Sequence, residues 1–368
     1  MGRAEKPLVV FADTEPWEAF VWLAGAVRRR GFRTARVTAP PGTRGQRISA
    51  RAYRVVFGPT EHTLQWAGGT APVDVTGIRL LSRPDVIDLQ ATDRVAAALA
   101  SSPQWAELPY LQRVPGTDQA RIFDKRAQMQ DAVLAGVPVP RTADEAQQID
   151  GPLVVIKQRV GSGGDAVVVA ARDEVASWQQ RWRGQGGGLI YQEPHPGASF
   201  NVGGYAVAGQ LAAAGCYRAR EARGDPGGPS AVIRPADRPD LMEATRRYLA
   251  NLRYTGPFCL DFLVSADDFV FIDFNPRFFG GWAALTLSGV PILDAYLDHL
   301  RGSDKRFRPT APDPRVRLTQ PVVSGGVGET LSTSASLLRS MYPLVGWRGE
   351  VAAIPSLARA LRAAGRGG

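Results

Sequence analysis

Asp261 and the run Asp273-Phe274-Asn275-Pro276-Arg277 are the residues whose types and spacing point most directly to chemistry. They lie in two apolar runs, Phe258 to Val264 and Phe269 to Asn275, that read as the strands of a hairpin. Side chains alternate across a strand. Asp261 therefore faces one way and Leu260 and Phe262 the other, while Asp273, Asn275 and Arg277 share a face with Phe274 opposite. If the hairpin pairs Asp261 with Asp273, their Cβ atoms lie about 4.5–5.5 Å apart, and two like charges so placed are destabilising unless a cation sits between them. Two carboxylates and an amide oxygen form a hard oxygen site of the kind magnesium accepts together with phosphate oxygens. Asp261, Asp273 and Asn275 are thus the candidate metal ligands. Arg277 can hold a phosphate or carboxylate bidentately. A lone Asp-x-Asn would fit a solvent-facing polar edge; the whole set, flanked by Phe269, Phe271 and Ile272, does not.

Lysine is scarce: Lys6, Lys125, Lys157 and Lys305 are the only four, and arginine supplies the rest of the 44 basic residues. A lysine inside a motif is therefore poorly explained by chance. Lys157 closes the apolar run Leu153 to Lys157, and Gly161-Ser162-Gly163-Gly164 leads from it to a second strand, Ala166 to Ala170. A loop with almost no side chain lets backbone N–H groups approach phosphates, and a lysine adds a point charge. The stretch also fits G-x-G-x-x-A, but a strand follows it, so the dinucleotide fingerprint fails its context. It lacks the Gly-Lys-Ser/Thr of a Walker loop. Taken alone, the loop is equally a glycine-rich hairpin turn. Lys125 opens a helix expected over Asp124 to Ala135, with Asp124 as cap, Met129, Ala132 and Val133 on one face, and Gly136 ending it.

The elements that must carry these residues can be traced along the chain. Leu8 to Phe11 reads as a strand, Trp17, Phe20, Val21 and Ala24 as a helical face, and Phe32 to Thr38 as a second strand. A short apolar run, Val55 to Phe57, ends at Gly58-Pro59. This opens an α/β domain reaching about Gly116, without a glycine fingerprint after its first strand. Further on come a helix from Asp173 to Trp182, a strand Leu189 to Glu193, and a hairpin of Phe200 to Ala208 with Gln210 to Tyr217 turning at Gly209. A helix follows near Leu241 to Leu252, then a helical stretch Trp282 to Leu300 broken near Pro291. The tail is rich in Pro, Gly and Ser before a last Ala/Arg/Leu helix.

Composition narrows the class. With 44% hydrophobic and 21% charged residues the 368-residue chain is that of an ordinary globular protein, long enough for two or three lobes. It shows no apolar run of membrane-spanning length and no signal-peptide pattern at Met1 to Val10. Two cysteines, Cys216 and Cys259, suit a reduced cytoplasm and exclude a disulfide framework, and three scattered histidines exclude a His/Cys zinc cluster. The net charge of +9 comes from dispersed arginines with no nucleic-acid-binding signature, so neither nucleic acid nor membrane is expected as a partner.

The ordered set of these marks resembles the ATP-grasp superfamily over roughly Phe123 to Leu300. The marks are Asp124-Lys125 with Gly136-Val137-Pro138-Val139-Pro140, Val154-Val155-Ile156-Lys157 before the glycine loop, Tyr191-Gln192-Glu193 before Pro196-Gly197, and Asp261 with Asp273 to Arg277. The resemblance implies an N-terminal open parallel-sheet α/β domain (1–116) before a two-lobed module mixing α/β and α+β parts. That module divides into a small lobe (117–190) and a large lobe (191–305), followed by an extension (306–368). It also implies ATP and one or two Mg2+ ions, or Mn2+, as cofactors. Lys125 and Lys157 would contact phosphates, and Gly161, Ser162, Gly163 and Gly164 would cover them. Gln192, Glu193, Pro194 and His195 would read adenine. Asp261, Asp273 and Asn275 would hold metal, and Arg277 would steady the transferred phosphate. The family often has an acidic residue for the ribose hydroxyls where this chain has Ser199, and glutamate where it has Asp273.

Members of the family usually phosphorylate a carboxylate and let a nucleophile displace phosphate from the acyl phosphate. The favoured expectation is a cytoplasmic ligase joining a small-molecule or peptide carboxylate to an amine, with a homodimer admissible. Arg218, Arg220 and Arg223 are the acceptor-side candidates, with Arg220 placed beside Lys157 and Arg277 as catalytic; surface arginines in an Arg-rich chain account for them equally. Gly280-Gly281-Trp282 could line the same pocket. Carboxylation or ribosomal-peptide modification, and nucleotide binding without catalysis, are the alternatives.

Overall fold

The computed structural model describes residues 6–14, 17–42, 44–66, 72–116, 118–161, 166–182, 188–221, 230–266, 268–303, 307, 311–319 and 337–346. Ser162, Gly163, Gly164, Arg223, Lys305, the Gly224 to Pro229 stretch and the last expected helix lie outside these residues.

The first elements are β1 (Leu8–Asp13), α1 (Glu18–Arg29), β2 (Arg33–Thr38), α2 (Arg44–Phe57), β3 (Thr60–Glu61), β4 (Gln65–Trp66), β5 (Val73–Asp74), β6 (Val86–Ala91) and α3 (Asp93–Ala100). Strands β3-β2-β1-β6 form a parallel sheet, and β4 with β5 a separate antiparallel pair. All six residues of β1 are buried, as a parallel strand covered on both faces requires. The run Val55 to Phe57 is the last turn of α2; Val56 and Phe57 pack with Phe11 and the α1 face of Phe20, Val21 and Ala24.

Helix α4 (Lys125–Leu134) begins where expected. The Asp124 carboxylate accepts the Arg126 N–H at 2.8 Å and the Ala127 N–H at 3.4 Å, filling two of the donors a helix start leaves open. Its buried face is rotated from the expected one. Met129 and Ala132 are buried, but Val133 is 60% exposed, and Gln128 and Asp131 lie inside instead. Both inward polar residues have partners there: the Gln128 amide is hydrogen-bonded to the backbone of a distant strand, and Asp131 pairs with Arg121 at 2.8 Å.

A small antiparallel sheet, ordered β7-β10-β8-β9, follows from β7 (Thr142–Ala143), β8 (Leu153–Gln158), β9 (Val167–Ala171), α5 (Val175–Trp182) and β10 (Leu189–Gln192). Val154, Ile156, Ala170 and Tyr191 pack one face onto α5 through Val175, Trp178 and Trp182. The boundary expected after residue 190 falls inside β10, which pairs with β8 and β7 along its length.

The large sheet, ordered β15-β14-β11-β12-β13-β16, comprises β11 (Ala198–Val207), β12 (Gln210–Glu221), β13 (Ser230–Ala236), β14 (Gly256–Val264), β15 (Phe269–Asn275) and β16 (Leu318–Thr319). Helix α6 (Pro239–Leu252) covers one face. Helices α7 (Trp282–Leu287) and α8 (Ile292–Leu300), parted at Pro291, lie with the other. Gly209 takes φ +82° at the expected β11–β12 turn. Two buried clusters each run from the front sheet into this one, so the two sheets share a core.

Candidate active site between the two antiparallel sheets

The register places three polar side chains in a row: Asn201 on β11 lies opposite Asp261 on β14, which lies opposite Asp273 on β15. The side they face is fixed by what lies behind them. Leu260, Phe262 and Phe274 are buried in the cluster that includes Leu241, Ala244, Tyr248 and Leu249 of α6. A one-residue slip would drive the carboxylates into that cluster. Asp261 accepts hydrogen bonds from the Asn201 amide, from Asn275 Nδ2 at 3.3 Å and from Cys259 Sγ at 3.4 Å. Burial, and after it the facing Asp273 carboxylate, push the Asp261 carboxyl up to about 6.

Two lysines converge on β15 from different elements. Lys125, the first residue of α4, pairs with Asp273 through Nζ. Lys157, near the end of β8, donates from Nζ to the Ile272 carbonyl at 2.8 Å. Both are less than a tenth exposed. Burial lowers the Lys157 ammonium to about 8, with Lys125 adding to the effect and Asp273 opposing it. Gln128 fixes α4 to the same strand: its Nε2 donates to the Phe274 carbonyl at 2.9 Å, and its Oε1 accepts the Phe274 N–H at 3.2 Å.

Arg277 is engaged differently from expectation. Its Nε and Nη2 donate to the two oxygens of Asp93, at the start of α3, at 2.8 and 2.9 Å. Nη2 also donates to Asn275 Oδ1 at 2.9 Å, and Nη1 to the Phe278 carbonyl at 3.0 Å. The Trp17 ring lies 4.6 Å from the guanidinium. The guanidinium is thus committed to the front domain, and the Asn275 amide oxygen, expected as a metal ligand, is shared with it.

On the facing sheet, Lys157 shares a side of β8 and β9 with Val155, Val167 and Val169. Val155 and Val167 are half-buried and Val169 is 49% exposed, so an apolar floor lies open beside a buried cation. Gly161 follows at φ +154°, and a Cβ there would sit 3.0 Å from that of Ala166. At the end of β10 Gln192 is buried and donates to Thr142 Oγ1 at 2.9 Å, and the Glu193 N–H donates to the Arg141 carbonyl. The Glu193 side chain is exposed. Pro194, His195 and Ser199 are half-buried, and His195 Nε2 lies 3.4 Å from Asp268. Ser199 stands two residues before Asn201 on β11, opposite Leu263.

The arginine expectation changes. Arg218 lies opposite Phe200, which lies opposite Phe262, so its side chain leaves the sheet on the far side from Asp261. Its guanidinium stands 5.9 Å from the Phe200 ring centroid. Arg220 pairs with Val232 in β12, and its side chain falls outside the described part. At the expected pocket wall, Gly281 lies against Tyr217: a Cβ there would come within 2.5 Å of the ring.

Sequence reading missed Asn201, Asp93, Trp17 and Gln128. Only Asn201 carried a signal, as an amide interrupting an apolar strand two residues after Ser199. Among the described residues no group of three or more His, Cys, Asp or Glu could hold a metal. A divalent ion here would be held by the Asp261–Asp273 pair with amide and ligand oxygens. The donor set fits that demand, since the buried Asn201 Oδ1 has no hydrogen-bond partner and two carboxylates face each other. No helix among the described residues is long and apolar enough to cross a membrane.

No protein-family model matches the chain, and no curated protein matches it in sequence. Solved structures do. An ADP complex of N5-carboxyaminoimidazole ribonucleotide synthetase superposes with a TM-score of 0.63 at 12% identity, covering 92% of this chain and 88% of that one. The biotin carboxylase domain of Hydrogenobacter thermophilus 2-oxoglutarate carboxylase, solved with MgADP and bicarbonate, gives 0.60 at 15% identity over 83% and 72%. L-amino acid ligase from Bacillus licheniformis gives 0.54 at 13% identity over 81% and 75%. The chain has the ATP-grasp fold.

Proposed function

We propose that the protein is an ATP- and magnesium-dependent ligase that phosphorylates a carboxylate and couples the acyl group to an amine, releasing ADP and phosphate. The observation that carries this reading is the facing Asp261–Asp273 pair with Lys125 and Lys157 converging on the same strand. A triphosphate and a carboxylate repel each other, so a site that joins them must first neutralise charge. Bound magnesium, held by Asp261 and Asp273 with an amide oxygen of Asn275 or Asn201, would supply Lewis-acid charge neutralisation at the phosphates.

The chain's own residues do the rest. Lys157 and Lys125 bind phosphate oxygens as point charges. The apolar floor of Val155 and Val167 covers one face of the base, and the segment Gln192 to His195 meets its edge. Ser199 is the candidate for the ribose. The carboxylate oxygen attacks the terminal phosphorus, forming an acyl phosphate and releasing ADP. The amine then adds to the acyl carbon, phosphate leaves, and the amine proton passes to solvent or base. Arg277 steadies the arrangement through Asn275. No protein nucleophile takes part.

A second reading, carboxylation, is favoured by the likeness to two structures whose names denote carboxylating enzymes. In it bicarbonate is the acid that ATP activates. The deciding experiment mixes the protein with ATP, MgCl2 and paired acids and amines, follows phosphate release and identifies products by mass spectrometry. Condensation products support the ligase, and label from 13C-bicarbonate in an amine substrate supports carboxylation. ATP binding with no phosphate release under any pairing rejects both.

A further inference from the structure

We infer that Asp93, in the front domain, is a positioning residue for the metal-binding carboxylates, acting through Arg277 and Asn275. The inference rests on the metal-site reading above and adds a residue to it from a different domain.

The contacts form an unbroken chain. Asp93 holds Arg277 bidentately at 2.8 and 2.9 Å. Arg277 Nη2 donates to Asn275 Oδ1 at 2.9 Å, and Asn275 Nδ2 donates to Asp261 Oδ2 at 3.3 Å. Each link has one chemically allowed direction. A guanidinium only donates, so Asn275 must turn its oxygen to Arg277 and thereby its NH2 to Asp261. The two-pronged Asp93 contact sets the guanidinium plane, and Trp17 lies over its face. Arg277 therefore has little freedom to rotate away from Asn275.

A buried ion pair contributes little net stability compared with apolar packing of the same volume, so stability alone is a weak reason for this one. Its electrostatic effect is specific. Asp93 cancels the Arg277 charge beside a site that must accept a divalent cation. Without that carboxylate the guanidinium would both loosen Asn275 and repel the metal. The two effects have the same sign.

The test is Mn2+ binding to the full chain with saturating ADP, followed by electron paramagnetic resonance, alongside the melting temperature without metal. Asp93→Asn keeps the shape and removes the charge. It is expected to weaken Mn2+ affinity about tenfold to a hundredfold, the range seen when residues supporting a metal ligand are changed. In an Arg277→Gln background the same change is expected to alter affinity less than about twofold, because the relay is already cut. If Asp93→Asn does not fold, Asp93→Asn/Arg277→Gln replaces the pair with neutral groups and is expected to bind Mn2+ severalfold more weakly than wild type, because Asn275 is loosened although the repelling charge is gone. Wild-type Mn2+ affinity in whichever of these variants folds would overturn the inference, even if its melting temperature fell. Absence of Mn2+ binding by the wild-type protein with ADP would overturn the metal site itself, and the inference with it.

Discussion

Asp261 and Asp273 stand directly opposite each other on neighbouring antiparallel strands, yet each is held by a different kind of donor. Neutral amides and a thiol surround Asp261, whereas the Lys125 ammonium takes Asp273. The pair is thus divided into a carboxylate already compensated by charge and one that is not. Burial and the facing carboxylate raise the uncompensated member, Asp261.

The first prediction follows from that displacement. The Asp261 carboxyl is raised to about 6, against an ordinary value near 4 in the unfolded chain. Between those values the native state binds more protons than the unfolded state, so this group adds stability as pH falls from about 7 through 6 towards 4. The melting temperature of the metal-free wild type, measured relative to Asp261→Asn, is expected to rise over that fall. Metal binding needs the ionised form, so Mn2+ affinity is expected to drop up to about tenfold per pH unit below 6. A flat difference between the two proteins across this range would remove the basis for an uncompensated Asp261.

Loss of the proposed ligands should cut turnover without unfolding. Asp273→Ala is expected to cut phosphate release by at least about a hundredfold, and Asn275→Ala by about tenfold or more, with far-UV circular dichroism unchanged. Asp273→Ala also leaves Lys125 without its carboxylate, so its melting temperature is expected to fall further than that of Asn275→Ala. Near-normal phosphate release in Asp273→Ala would refute the metal assignment.

Much of this site was legible because it is local. The two strands that carry Asp261 and Asp273 follow from their apolar runs and the short turn between them, and the Asp124 cap from one residue before a helical run. The pairing of the two carboxylates depends on a register shift between Asp261 and Phe262, without which Asp261 would lie opposite Ile272. What was not legible depends on long-range contact. Nothing in the order of residues tells that Arg277 meets Asp93, 184 positions away, or that Gln128 reaches the backbone of Phe274. The face of Arg218 was not legible for a related reason. Its face depends on the register of β12 against β11, which the turn at Gly209 and a bulge at Tyr205/Ala206 set together.

Packing beside the site should be sensitive to one methyl group. Gly203 lies under the Phe279 ring, and a Cβ there would come within 2.2 Å of it. Phe279 stacks on Tyr217 at 8° and lies two residues after Arg277. Gly203→Ala is therefore expected to destabilise the protein by about 1–3 kcal/mol, as overpacking does, and to slow turnover by shifting the Arg277 segment. Adding Phe279→Leu makes room and is expected to recover part of both losses. If the single variant melted and turned over as wild type, Gly203 would not be a packing constraint.

The last prediction concerns protons taken up on nucleotide binding. Lys157 is buried beside Lys125, and its ammonium is lowered to about 8, so at pH 8 roughly half of it is neutral before ligand arrives. Triphosphate oxygens next to Nζ favour the charged form and move the value back up, so binding must draw a proton from solution. Asp261 is already ionised at that pH and does not contribute. Calorimetry in buffers of different ionisation enthalpy is expected to report uptake of up to about half a proton at pH 8 when a non-hydrolysable ATP analogue and Mg2+ are added. That uptake should shrink towards pH 7. It should disappear in Lys157→Met, which should also weaken nucleotide binding by about tenfold or more. Lys6→Ala, at an exposed position before β1, should match wild type in both respects. Equal uptake in wild type and Lys157→Met would show that the proton comes from elsewhere, and Lys157 would lose its place against the phosphates.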